Sequence, residues 1–236
     1  MTVLLGLPDR LKAVRLLVTV EARRGWGAVV RGLPAGCGAV VIVPPTGRAK
    51  ALGGVDWTEK AVAVLRAEWP ATDNGRRLMG IDVSSEAATG GESPARAAAA
   101  DLLPDMVIEA SPTPGWPHKW ALHGAILGGD TSTAAEMAVA MSHADVSFYL
   151  LQGQSWSGDT VPAGGRPLFT VVEDLADAKQ AVDAGATRLA WRYTGTSFFG
   201  RIKPPGEELG KATALLTAAF RQAHPDKTPT GKIPKN

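Results

Sequence analysis

The sequence predicts an α/β fold, a (β/α)8 or TIM barrel, and three observations carry that prediction. The first is the stretch Leu168 to Ser197, LFTVVEDLADAKQAVDAGATRLAWRYTGTS, in which an apolar run, a helical stretch, a glycine and a second apolar run follow directly on one another. Strand, helix and strand at that spacing form a right-handed βαβ unit. The second is repetition. Short apolar runs recur along the chain, mostly separated by helical periodicity and with no extended linker, which favours a closed parallel barrel over an open doubly wound sheet. The third is size: 236 residues with 45% hydrophobic content can bury a full core, and α/β barrels commonly run to this length.

In chain order, Leu4 to Leu11 reads either as a short extra strand or as a lid across the barrel floor, and Arg15 to Glu21 (RLLVTVE) as the first strand. Arg23 to Leu33 is a helix interrupted by Gly25 and Gly27. Ala39 to Val43 is the second strand, ended by Pro44, Pro45 and Gly47. Thr58 caps a helix whose apolar side is Ala61, Val62, Val64, Leu65 and Trp69, and Leu78 to Val83 is the third strand. Ser84 to Ser93 reads as a mobile loop, an Ala-rich helix starts at Ser93 and Pro94, and Met106 to Ala110 is the fourth strand.

Ser111 to Trp120 (SPTPGWPHKW) cannot be regular helix throughout, because proline removes a backbone donor. Ala125 to Leu127 reads as a short fifth strand and Gly128 to Thr133 as the lead into a helix through Ala134, Met137, Ala138 and Met141. Ser147 to Leu151 is the sixth strand, and Gly153 to Gly165 is Gly-rich loop where a sixth helix belongs. The fourth and sixth helices are therefore expected to be irregular. Leu168 to Val172 is the seventh strand, bounded by Gly164, Gly165 and Pro167. In the helix that follows, Leu175, Ala178, Ala181, Val182 and Ala184 recur at helical spacing, acids fill the first turn, and Gly185 is placed for a left-handed C-cap. Thr187 to Tyr193 is the eighth strand and Glu207 to Ala223 the closing helix. Residues 1–224 read as one barrel domain and 225–236 as a flexible basic tail rich in Lys, Pro and Thr.

Composition excludes several classes. A net charge of +2 with 20% charged residues leaves no electrostatic footprint for nucleic acid. The single cysteine, Cys37, rules out an internal disulfide, and its place before an apolar strand reads as a buried structural thiol. Neither a membrane-spanning run nor a signal segment is apparent, so a cytoplasmic location is the expectation.

In such a barrel the active site lies at the C-terminal strand ends. Those ends carry Glu21, Asp82, Glu109, Gln152, Glu173 and Arg192. Carboxylates facing one pocket can hold a divalent cation or exchange a proton, and Asp82 and Glu109 stand out because they interrupt runs that otherwise read as buried. Thr194-Gly195-Thr196-Ser197, flanked by Arg192 and Arg201, follows strand eight where barrels frequently bind phosphate, and is the candidate anion loop. Gly128 to Ser132 also precedes an expected helix N-terminus, but Asp130 would fill the N-cap itself. Trp116, Trp120 and Trp156 fall in loops on the expected catalytic side, either walling a pocket for a flat ring or closing gaps over the barrel.

Other chemistries find less support. Gly153-Gln154-Ser155-Trp156-Ser157 lacks the second glycine and the helix of a nucleophile elbow. Lys50, Lys119 and Lys203 lie in loops, away from any barrel strand where a Schiff-base lysine would stand. The histidines, His118, His123, His143 and His224, have no paired zinc-ligand spacing.

Gly124 to Leu151 (GAILGGDTSTAAEMAVAMSHADVSFYLL) and Leu168 to Tyr193 resemble the thiamine phosphate synthase family of phosphate-binding barrels, in its Gly-Val-Ser-Thr strand end, helix and Ala-Asp-Tyr strand. The likeness covers about a third of the chain. In place of the family's Gly-Gly-Ile phosphate loop after strand seven stands Val172-Glu173-Asp174, and its Asn-Asp pair at strand three is matched at most by Asp82. The resemblance implies a transferase of thiamine biosynthesis acting on a phosphorylated heterocycle with Mg²⁺, which Asp82 and Glu109 would bind. Asp82, Glu109 and Arg192 would be catalytic, Thr194 to Ser197 would hold the phosphate, and Glu21, Gln152, Trp116 and Trp156 would line the pocket. The acidic replacement at strand seven also fits an alternative, a catalytically degenerate barrel serving as a binding or scaffold protein whose Trp-rich loops contact a protein partner, with a homo-oligomer as the other partner expectation.

Overall fold

The computed structural model describes residues 6–21, 26–34, 36–43, 63, 77–82, 104–110, 126–131, 138, 140–142, 144, 146–152, 165–193 and 207–223, with backbone alone at 26–28, 109–110, 126–131 and 223. Among them the strands are β1 (Leu16–Glu21), β2 (Cys37–Val43), β3 (Leu78–Asp82), β4 (Met106–Ala110), β5 (Ile126–Thr131), β6 (Val146–Leu151), β7 (Leu168–Val172) and β8 (Leu189–Tyr193). All neighbours pair in parallel, and Leu16 of β1 stands opposite Leu189 of β8, so the sheet closes into a barrel in the order β1 to β8. The (β/α)8 class expected from the sequence is the observed one.

The strands alternate between two apolar layers, as a pleated backbone must. Leu17, Val41, Leu78, Met106, Ile108, Phe148, Leu150, Phe169 and Ala190 fill the barrel interior. Leu16, Val18, Val40, Ile42, Ile81, Val107, Leu189 and Trp191 face outward, against helical residues such as Ala178, Leu209, Ala212 and Leu216. Both faces being buried, the strands read as continuous apolar runs rather than as alternating ones. Inside, Phe148 and Phe169 meet edge to face, with centroids 6.0 Å apart. Gly80 sits on the inner face because space requires it: a Cβ there would lie 2.9 Å from Val41 Cγ2.

Helix α1 (Leu7–Ala13) replaces the strand alternative for the N-terminal segment. Pro8 in its first turn favours helix initiation, and Lys12 pairs with Asp9 at 3.0 Å. Its Leu11, with Val14 just after it, packs into the interior cluster, so the lid reading is the one the structure supports. Helix α2 (Trp26–Arg31) lies within the interrupted helix expected there. Helix α3 (Leu175–Asp183) is capped at both ends. Asp174 Oδ1 accepts from Asp177 N at 2.8 Å, and Gly185 takes φ 98° while Ala186 N donates to Ala181 O, a left-handed C-cap as anticipated. Helix α4 (Glu207–Ala223) has the predicted bounds.

The fifth strand corrects the sequence reading. β5 runs to Thr131, and Gly128, Gly129 and Asp130 pair with both β4 and β6. Asp130 is therefore in a strand and is not an N-cap. Glycine is disfavoured in strands, but neighbours on both sides supply the hydrogen bonds that hold this segment extended. The helix expected from Thr58, the loop 84–93, the Pro-rich loop 111–120 and the tail lie outside the described residues. No helix among the described residues is long and apolar enough to cross a membrane.

Candidate active site at the barrel mouth

Strand alternation decides which strand-end groups can meet. Glu21 shares the inner face of β1 with Leu17, and Asp82 shares that of β3 with Leu78. Gln152, one residue past β6, continues the face of Phe148 and Leu150; Glu173, one past β7, continues that of Phe169; and Arg192 follows Ala190 on β8. Five polar residues from five strands thus stand on the inner face at the C-terminal end. Glu109 occupies the register position of Val107, which belongs to the outer layer, and its side chain lies outside the described residues. Thr194, Gly195, Thr196, Ser197, Trp116 and Trp156 also lie outside them.

A cavity of about 220 Å³ opens at this end. Gln152, Val171, Glu173 and Arg192 form its mouth side; it then passes over the end of β7, past Thr170 and Val172, to a stripe made by Asp177, Gln180 and Ala181 of α3 and its C-cap residue Ala184. Of the residues nominated from sequence it gathers Gln152, Glu173 and Arg192, while Asp82 and Glu21 stand elsewhere on the rim. Thr170, Asp177 and Gln180 were missed. Asp177 and Gln180 lie three apart on one helical face, a signal the sequence does contain, but Thr170 looked like an ordinary β-branched strand residue.

Electrostatics differ across the rim. Arg192 Nη1 lies 3.6 Å from Glu173 Oε1, with both side chains about half exposed, an ion pair that solvent screens strongly. Asp177 Oδ2 accepts a long hydrogen bond from Glu173 N at 3.4 Å. Burial and then the Glu208 carboxylate push the Tyr193 phenol up, keeping it a protonated donor beside the mouth. Among the described residues no three His, Cys, Asp or Glu side chains converge as a metal site. Mg²⁺ takes one or two carboxylates and fills its octahedron with water and substrate phosphate.

A closed parallel barrel with a sealed floor and a polar C-terminal rim defines a (β/α)8 barrel whose candidate site lies at the C-terminal strand ends. Comparison with solved structures places the chain beside a native KDPGal structure (TM-score 0.53, 17% identity, 88% of this chain and 95% of that one). It is likewise similar to phosphoribosyl anthranilate isomerase in complex with reduced 1-(o-carboxyphenylamino)-1-deoxyribulose 5-phosphate (TM-score 0.55, 16% identity, 88% and 98%). A third similar structure is thiamine phosphate pyrophosphorylase from Pyrococcus furiosus (TM-score 0.53, 13% identity, 91% and 98%). At these identities the likeness establishes the barrel fold, with thiamine phosphate pyrophosphorylase as one of several neighbours. No family model and no curated protein matches the chain.

Proposed function

We propose that this chain is a barrel enzyme acting on a small phosphorylated molecule with a flat ring, in the manner of thiamine phosphate synthase, at the C-terminal mouth. The observation that carries the reading is the shared inner face of Glu21, Asp82, Gln152, Glu173 and Arg192 at one end of a barrel whose other end is sealed. Arg192 supplies a planar, permanently charged donor for a phosphate, and Thr194 to Ser197, next in the chain, supply hydroxyls and backbone N–H groups. Asp82 is the carboxylate for proton transfer, and Mg²⁺ enters as the escort of the phosphate. The acids at the end of β7 mean that the phosphate is anchored from β8.

The Glu173–Arg192 pair favours a second reading, a barrel that binds without catalysis, because the mouth cation already has a partner at 3.6 Å. Thermal shift with phosphate, pyrophosphate and thiamine precursors, each with and without Mg²⁺, tests the first reading. Ligand at about a hundred times Kd stabilises the fold by about 2.7 kcal/mol, and Arg192→Ala should lower the affinity on the order of tenfold. If none of these compounds shifts the transition, the enzyme reading fails; if they bind but no turnover follows, the second reading stands.

A further inference from the structure

The α3 side of the cavity has a chemistry that a phosphate would not choose. Helix α3 turns its N-terminus toward this side, and a free helix N-terminus would welcome an anion. Here it is already neutralised. Asp174 occupies the N-cap, Asp177 N is taken by Asp174 Oδ1 at 2.8 Å, and Glu173, Asp174 and Asp177 put three carboxylates around one turn. Of the charged residues lining the cavity, Arg192 faces Glu173, which leaves Asp177 with no cation opposite it among the described residues.

A second feature points the same way independently. Thr170 is 5% exposed, on the outer face of β7 between Leu168 and Val172, where an aliphatic side chain would satisfy the packing. Its hydroxyl lines the cavity and makes no hydrogen bond among the described residues, whereas its backbone N donates to Arg188 O. The hydroxyl is not among the fully buried, unsatisfied atoms, so it keeps contact with the cavity solvent, and a ligand group entering there can take its hydrogen bond in place of water. Gln180, reaching in from α3, adds both a donor and an acceptor, and Ala181 keeps that wall low. The volume, about 220 Å³, is below the roughly 300 to 1,000 Å³ of pockets for drug-sized ligands, so the space suits one end of a small molecule.

We infer that the β7–α3 side of the cavity is a subsite for a small organic cation carrying a hydroxyl, its ammonium group held by Asp177 and its hydroxyl by Thr170 and Gln180. This rests on the mouth being the substrate site and makes the substrate an amine as well as a phosphate: the anionic end lies toward Arg192 and the cationic end toward Asp177.

The test uses the full chain labelled with ¹⁵N and three separate titrants, ethanolamine, neutral ethylene glycol and inorganic phosphate. Ethanolamine should move the backbone resonances of Thr170, Asp177 and Gln180, and ethylene glycol at equal concentration should not. Asp177→Asn should weaken the ethanolamine response on the order of tenfold, and Thr170→Val, which keeps the shape of the strand residue, several-fold. The subsite is overturned by an absent ethanolamine response, by an equal response to ethylene glycol, or by a response that survives both substitutions in folded protein. The phosphate arm reads out separately: losing it while the amine response persists removes the phosphate enzyme reading and leaves the cation subsite in place.

Discussion

At the floor of the barrel, polar groups are tied to the protein's own backbone; at the mouth, Gln152, Glu173 and Arg192 line a cavity. On the floor side, Arg77 donates to Leu33 O and Pro34 O at 3.3 and 2.9 Å, and Arg188 donates to Lys12 O at 3.0 Å. Asp105 Oδ2 accepts from Met79 N at 3.0 Å, and the Arg15 guanidinium lies 4.1 Å above the Phe220 ring. Burial and then the neighbouring Arg15 charge lower the Arg188 guanidinium to about 10, so it stays charged at neutral pH, with its Nε buried and unpartnered. At the mouth, Glu173 and Arg192 hold each other loosely and half exposed. The difference teaches where to look for function: the floor uses its polar groups to position strand starts, whereas the mouth keeps them where a ligand can reach.

The largest expected effect is on the floor. Leu11→Ala removes a side chain that is 1% exposed and seals the interior cluster, and should cost about 2 to 5 kcal/mol in urea unfolding while leaving ligand affinity at the mouth unchanged. An equal loss of affinity would erase the distinction between the two ends. Gly80→Ala, in the belt between them, pushes a methyl group against Val41 and Met106 and should cost about 1 to 3 kcal/mol by the same measurement. Of comparable size, but confined to alkaline pH, is the effect of Cys37, whose thiol burial raises to about 11 from an ordinary 9.0. A folded value above the unfolded one favours the neutral form in the folded state. Its contribution is therefore fully present below pH 9 and lost as pH rises toward 11, and Cys37→Ala should flatten stability across that window. Arg192→Met should change stability least, within about 0.5 kcal/mol, and a larger loss would assign the residue to the fold rather than to the mouth.

Much of this was legible in the sequence where local punctuation and burial agreed. Pro167 and Gly165 bracket β7, Gly185 marks the end of α3, and the bounds of β4, β7 and α4 came out as read. β5 extends beyond what its sequence suggests because Gly128 and Gly129 look like a loop when only local propensity is weighed, and it is their partners on both sides that make them strand. The N-terminal segment was ambiguous because a short helix draws its stability from packing, here of Leu11 into a core the sequence does not display. For the site, residue types at strand ends were readable but their facing was not. Doubly buried strands show no alternation, so the inner position of Asp82 and Arg192 and the outer register of Glu109 emerge only once the ring is closed.

That closure is made by pairing the first strand with the last. A nascent chain leaving the ribosome carries β1 with one flank unsatisfied until β8 is synthesised, while the opposite open edge moves to each newest strand in turn. Exposed parallel edges are templates for other chains, and contacts this distant in sequence form slowly. Synthesis of this protein therefore passes through a period when half-built rings can join one another, and a chaperone that shields sheet edges would raise its yield more than one that binds loose helices.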